Sequence, residues 1–234
     1  MSIKDKLTAQ NIFLIFSALF ITSLVVSNLI FKKFFFWHPI EFEVFGVKLF
    51  EMSVGILPYP ITFLITDLIS EIYGKRKANQ VVFTGIFASL FSLLILFVSN
   101  QVQATSWSPI SDQTFDDVFG SAKIAVFSSM LAYLFAQFID IQIYHFWKKR
   151  TKGKHLWLRN NFSTFSSQFI DTFTVLFLLC LLQEIAWDKF YGLLIAGVSF
   201  KILIALADTP LLYLGVYLMR NRFNLKINDT LKIS

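Results

Sequence analysis

Two carboxylates, Asp67 and Glu71, stand in the stretch PYPITFLITDLISEIYGKRK at 58–77, an apolar run that opens on two prolines and closes on basic residues. Helical periodicity puts Tyr59, Phe63, Thr66, Asp67, Ser70 and Gly74 on one face, with Glu71 at its edge. An acid near the middle of a membrane span costs roughly 2.5–3.5 kcal/mol on the insertion scale, so it turns to the protein interior and has a use there. Asp67 has no cation within a turn along its own helix. Glu71 has Lys75 four residues on, the spacing of a favourable helical ion pair, so a structural and a functional reading stand side by side. Pro58 and Pro60 break or restart the helix in the outer third of the span. Broken helices in membranes are tolerated where they line a cavity, although a kink that only shapes packing is the alternative.

Other segments carry polar groups at matching depth. Gln137 and Asp140 are three residues apart and share a face; Ser163, Ser167, Asp171 and Thr174 form a stripe with Gln168 beside it. AQFIDI at 136–141 is echoed by SQFIDT at 167–172. Lys201 lies near the middle of a later span, with Asp208 two turns on and Pro210 after it. Exposed to lipid, these acids would cost on the order of 10 kcal/mol together. They must converge on each other, on Lys201 and Arg159, or on a wet cavity. Lys201 is too deep to snorkel and should reach an acid or a ligand's carbonyl oxygen. Arg159 is expected to pair with Asp140 or Asp67, with Asn160, Asn161 or Ser163 capping the helix there, unless it is an ordinary positive-inside arginine. Carboxylates and carboxamides beside aromatic rings suit a flat heterocycle with several N–H donors, and equally a polyamine or a simple cation. A salt-bridge network without a ligand is the rival.

The elements that must position these groups are membrane spans. The chain of 234 residues is 56% apolar and 15% charged, with 29 phenylalanines and a mean hydropathy of +0.63, the profile of a polytopic membrane protein forming one domain. Six apolar stretches, near 11–31, 52–73, 81–99, 121–147, 162–183 and 191–219, reach the ~20 residues needed to cross a bilayer. The N-terminus has a positive start but no small-residue cleavage site and reads as a retained first span. Lys4, Lys6, Lys75, Arg76, Lys77, the 148–159 basic cluster, Arg220, Arg222, Lys226 and Lys232 fall on one side; only Lys32, Lys33, Lys48 and Lys189 fall on the other. Both termini are therefore expected in the cytoplasm, and the +6 net charge is topological, not a nucleic-acid signal. IEFEVFGVKLFEM alternates around Gly46 as a short outer β-hairpin, and the lysine-free loop near 100–120 reads as solvated.

FLITDLISEIYGKRKA resembles the signature of the queuosine-precursor transporter family, also grouped with vitamin-uptake-like membrane proteins. LWLRNNFSTFSSQFIDT is similar to its second signature, and SNLIFKK and ADTPLLY to weaker pieces. The resemblance implies an all-α protein of six transmembrane helices in a bacterial inner membrane, similar in fold to the substrate-binding subunits of energy-coupling-factor transporters. It implies a 7-deazaguanine cargo: the 7-cyano or 7-aminomethyl base, or queuine. The family pattern falls on Asn28, Asp67, Glu71, Arg159, Gln168, Asp171, Lys201 and Asp208, to which the helical stripes add Gln137 and Asp140. Expected partners are that small molecule and the lipid bilayer, with homo-oligomerisation left open. No nucleic acid and no cofactor are expected.

An enzyme is the competing class. His38, His145 and His155 form no metal-ligand spacing, Cys180 stands alone, and no glycine-rich phosphate loop or nucleophile elbow appears. An aspartate-based intramembrane hydrolase is the enzymatic reading that survives. A third reading is a receptor subunit that needs partner ATPases.

Overall fold

In the computed structural model, residues 3–30, 32–36, 43–44, 47–48, 51–120, 123–183, 186–227 and 229–231 are described. The long helices are α1 (Ile3–Ile30), α2 (Tyr59–Ile72), α3 (Lys75–Ser99), α5 (Lys123–Arg150), α6 (Leu156–Leu181) and α7 (Phe190–Phe223), with a single-turn α4 (Asp112–Phe115) in the 100–120 loop. Among the described residues five helical segments are long and apolar enough to cross a membrane: α1, α2 with the 3₁₀ turn before it, α3, α6, and α7 with its preceding turn. The fourth expected segment is α5, as long as α1, whose apolar run carries Gln137, Asp140 and Gln142. α1 and α3 start earlier than their apolar stretches because their lysine-rich first turns continue the helix, and α6 starts earlier through Leu156–Arg159.

Between α1 and α2 the chain forms short strands β1 (Phe34–Phe36), β2 (Glu43–Val44), β3 (Val47–Lys48) and β4 (Glu51–Ser53), with β1 antiparallel to β4 and β2 to β3. Gly46, on which the expected hairpin centred, lies outside the described residues.

Helix α2 is the centre of the bundle. From Thr62 to Ile72 every residue but Leu64 is buried, whereas α3 presents Phe83, Phe87, Phe91 and Phe97 outward. Pro58 and Pro60 sit at its very start, where a missing N–H costs nothing, and a 3₁₀ turn at Val54–Ile56 precedes them. The helix proper has only 14 residues, about 21 Å of rise against the ~30 Å hydrocarbon layer. That shortfall leaves space beside its first turns.

Close approach around this short helix needs small residues. A Cβ on Gly215 of α7 would lie 2.7 Å from Leu68 Cδ2, and one on Gly85 of α3 would lie 2.7 Å from Phe20 Cε1 of α1. One end of the bundle gathers the basic segments: Arg222 near the end of α7 meets Asp5 at the start of α1 at 3.1 Å, and the tail closes back with Leu231 N–H donating to the Ile72 carbonyl at 2.7 Å. The 100–120 loop is at the other end, where the Asp117 carbonyl accepts from Lys32.

Candidate functional site

Around Glu71, near the basic end, three cations gather. Lys148 Nζ of α5 lies 2.9 Å from Oε2, Arg159 Nη2 of α6 lies 2.7 Å from Oε1, and Arg220 of α7 bonds the same Oε1. Tyr144 donates its hydroxyl to Oε2 at 3.0 Å, and Lys148 also donates to the Glu71 carbonyl at 3.1 Å. Four helices thus meet on one buried carboxylate. The expected Glu71–Lys75 pair does not form: Gly74, at φ +84°, breaks the helix between them and starts α3, so Lys75 leaves the i,i+4 register and bonds Gln142. Arg159 also differs from expectation, since it pairs with Glu71 and not with Asp140 or Asp67. Its Nη1 donates to the Gly153 and Lys154 carbonyls at 2.8 and 3.2 Å, which ties the α5–α6 turn to the cluster. Nor do Asn160, Asn161 or Ser163 cap α6. The helix begins at Leu156 after His155 at φ 56°, which places all three inside its first turns; Asn161 bonds back to Trp157 and Ser163 to Asn160.

One turn farther from the basic end, Asp67 faces Asp140 of α5, whose Oδ1 accepts from Ser167 of α6 at 3.0 Å. The two carboxyls lie within hydrogen-bonding reach of each other, a contact that a shared proton would make, and Asp67 Oδ1 and Asp140 Oδ2 have no other partner among the described residues. On its other side Asp67 lines a narrow cleft between α2, α6 and α7. Tyr59 and Phe63 of α2 and Phe200 of α7 supply aromatic walls; Asn160, Thr164 and Gln168 of α6 and Lys201 and Asp208 of α7 supply polar groups. Gln168 Oε1 is buried without a partner. Lys201 reaches Asp171 in a buried ion pair and stands 4.9 Å from the centre of the Tyr59 ring, as its depth required.

Four of the residues singled out from the sequence therefore share the cleft: Asp67, Gln168, Lys201 and Asp208. Asp171 stands behind it as the partner of Lys201. Gln137 does not line it; it is fully buried against α2, accepting from Thr66 at 3.3 Å. Asp140 is in the layer behind Asp67, and Asn28, on α1, is also absent from the cleft wall, its Nδ2 unpartnered. The two QFID copies thus play unlike parts, because α5 turns its copy to α2 while α6 turns its copy to the cleft and α7.

Sequence reasoning missed Tyr144, Lys148 and Arg220 as partners of Glu71 and missed Asn160 and Thr164 in the cleft. A signal was present: Gln137, Asp140, Tyr144 and Lys148 recur at three- and four-residue steps along one face of α5.

Buried acceptors beside aromatic faces, with a lysine opposite, can hold a flat polar molecule edge-on while excluding water. A probable queuosine precursor transporter of Bacillus subtilis is 27% identical over 180 residues, 76% of either chain. A Haemophilus influenzae protein with the same description is 27% identical over 127 residues, 53% of this chain and 50% of that one. No solved structure matches the chain. The family model described as "Putative vitamin uptake transporter" matches residues 53–215, which enclose the whole cleft from Ile56 to Leu212, and the chain belongs to that family of membrane transporters.

Proposed function

We propose that the chain takes up a queuosine precursor, a 7-deazaguanine, through the cleft between α2, α6 and α7. The observation that carries this reading is the unpartnered Gln168 Oε1 beside the buried Asp67 carboxyl on the polar side of an aromatic cleft. A guanine-type edge offers an N1–H and a 2-amino group side by side, the pattern a carboxylate takes with two parallel hydrogen bonds. Asp67 receives that edge, Gln168 flanks it, and Lys201 approaches the ring carbonyl while remaining paired with Asp171. Tyr59, Phe63 or Phe200 stacks on the ring face. Asp171 is the weaker choice for this task because Lys201 already occupies it.

In this reading α5 is the sixth span, the bundle is a single domain similar to the substrate-binding subunits of energy-coupling-factor transporters, and its basic end faces the cytoplasm of a bacterial inner membrane. The Glu71 cluster lies one turn beyond Asp67 on the way to that end and acts as the inner closure. Release into the cytoplasm requires Arg220 and Lys148 to part from Glu71. The test is growth-linked: tRNA queuosine content in a strain blocked in precursor synthesis, fed nanomolar precursor, with and without the gene. Restored queuosine is expected with at least one of the three precursors. Failure with all three would remove the substrate assignment.

A further inference from the structure

A second, broadly open cavity lies at the basic end between the start of α6, the last turns of α7 and the tail after it. Arg159, Arg220, Lys154 and Lys226 line it, with Asn221 and Asn224 among them; none of its described lining residues is acidic, and the nearby Asp229 accepts from the Lys226 backbone N–H at 3.0 Å. The charge at its floor does not balance. Glu71 is the carboxylate paired with Lys148, Arg159 and Arg220, and the next acid in reach of Arg159 is Asp67, one turn deeper, so the cations outnumber the acids there. Arg159 is fully buried, and while its two terminal nitrogens are engaged, its Nε has no partner. A buried guanidinium N–H left without an acceptor is costly, and an anion in the cavity would relieve it.

We propose that this cavity is a binding site for a phosphate group, held by the Arg159 and Arg220 guanidiniums with Lys154 and Lys226 as outer point charges. Guanidinium forks match phosphate oxygens two at a time, and the lysines add attraction without demanding geometry. The phosphate has two sources, a phosphodiester headgroup of an anionic lipid or soluble inorganic phosphate. Tyr213 and Tyr217 at the cavity are well exposed on α7, as aromatic side chains are where a bundle meets the bilayer interface, and basic pockets between helix ends at that level hold lipid headgroups. The site shares Arg159 and Arg220 with the Glu71 cluster but no lining residue with the cleft, and its test does not depend on the transport reading.

Thermal unfolding of the purified full chain in detergent tests it. Three additions are compared: phosphatidylglycerol, phosphatidylcholine as the zwitterionic control, and inorganic phosphate against chloride at matched ionic strength. A saturable rise in the midpoint with phosphatidylglycerol but not phosphatidylcholine is expected, and that rise should fall by half or more in Arg220→Gln and in Lys226→Gln. Because Arg220→Gln also disturbs Glu71, the exposed Lys226 keeps the test valid if that variant folds poorly. Stabilisation by phosphatidylglycerol alone assigns the lipid source; stabilisation by inorganic phosphate assigns the soluble one. The proposal is overturned if neither phosphate compound raises the midpoint, or if every folded variant keeps the full wild-type rise.

Discussion

Replacing Glu71 with glutamine would remove the one negative charge that Lys148, Arg159 and Arg220 share. The side chains do not suffer equally. Arg220 is about a quarter exposed and can turn to water, but Arg159 and Lys148 are held inside. Breaking a buried ion pair from one side costs about 3–5 kcal/mol, because the remaining charge is left in a poor solvent. Glutamine keeps an acceptor for Tyr144, so the loss is electrostatic and not a cavity. For a chain of this length each kcal/mol moves the midpoint by about 2–4 °C, which gives a fall of about 6–20 °C. Detergent-solubilised protein heated in steps and followed by fluorescence-detected size exclusion measures it. The double variant Glu71→Gln/Arg220→Gln should recover part of the loss, since one of the repelling cations is gone. A single variant within about 2 °C of wild type, or a double variant at the plain sum of the two losses, would refute the shared-carboxylate reasoning.

Lys201→Met leaves Asp171 buried without its cation, so it should cost about 3–5 kcal/mol and abolish transport. Adding Asp171→Asn should restore stability but not uptake, and recovered uptake would place Lys201 outside the substrate's reach. Gly215→Ala pushes a methyl against Leu68 and should destabilise by about 1–3 kcal/mol, read from the same heating assay; a neutral result would mean that α7 stands farther from α2 than described. For sidedness, a cysteine placed in the 100–120 loop should react with an impermeant thiol reagent in spheroplasts and one at 148–155 should not, with little background from the buried Cys180. The reverse pattern would invert the orientation.

Much of the architecture was legible because lipid leaves a chain few choices. Long apolar runs marked the helices, and the clustering of Lys and Arg marked the segments that the fold gathers at one end. The acids were legible for the same reason, since no lipid-facing helix would carry Asp67 or Asp171. Their partners were not. Whether Glu71 takes Lys75 or Arg220 depends on Gly74 ending the helix at one point and on α7 packing close enough through Gly215, neither of which a periodicity count contains. Gln137 and Gln168 look alike in sequence and differ only in which neighbour their helix turns them toward. The positive-inside pattern also concealed something: Lys148 and Arg220 were read as topological charges, and both are structural partners of a buried acid.

Uptake of radiolabelled 7-deazaguanine precursor into sealed liposomes containing only this protein, with Asp67→Asn beside wild type, bears most directly on transport through the cleft. The substitution keeps the shape of the side chain and removes its charge. A charge-assisted hydrogen bond lost in a buried site costs about 1.5–3 kcal/mol, so half-saturation should rise at least about tenfold in the variant while wild type fills the vesicles. Accumulation by wild type that Asp67→Asn reproduces at the same concentrations would contradict the cleft as the binding site, and no accumulation by wild type would contradict transport by this chain alone.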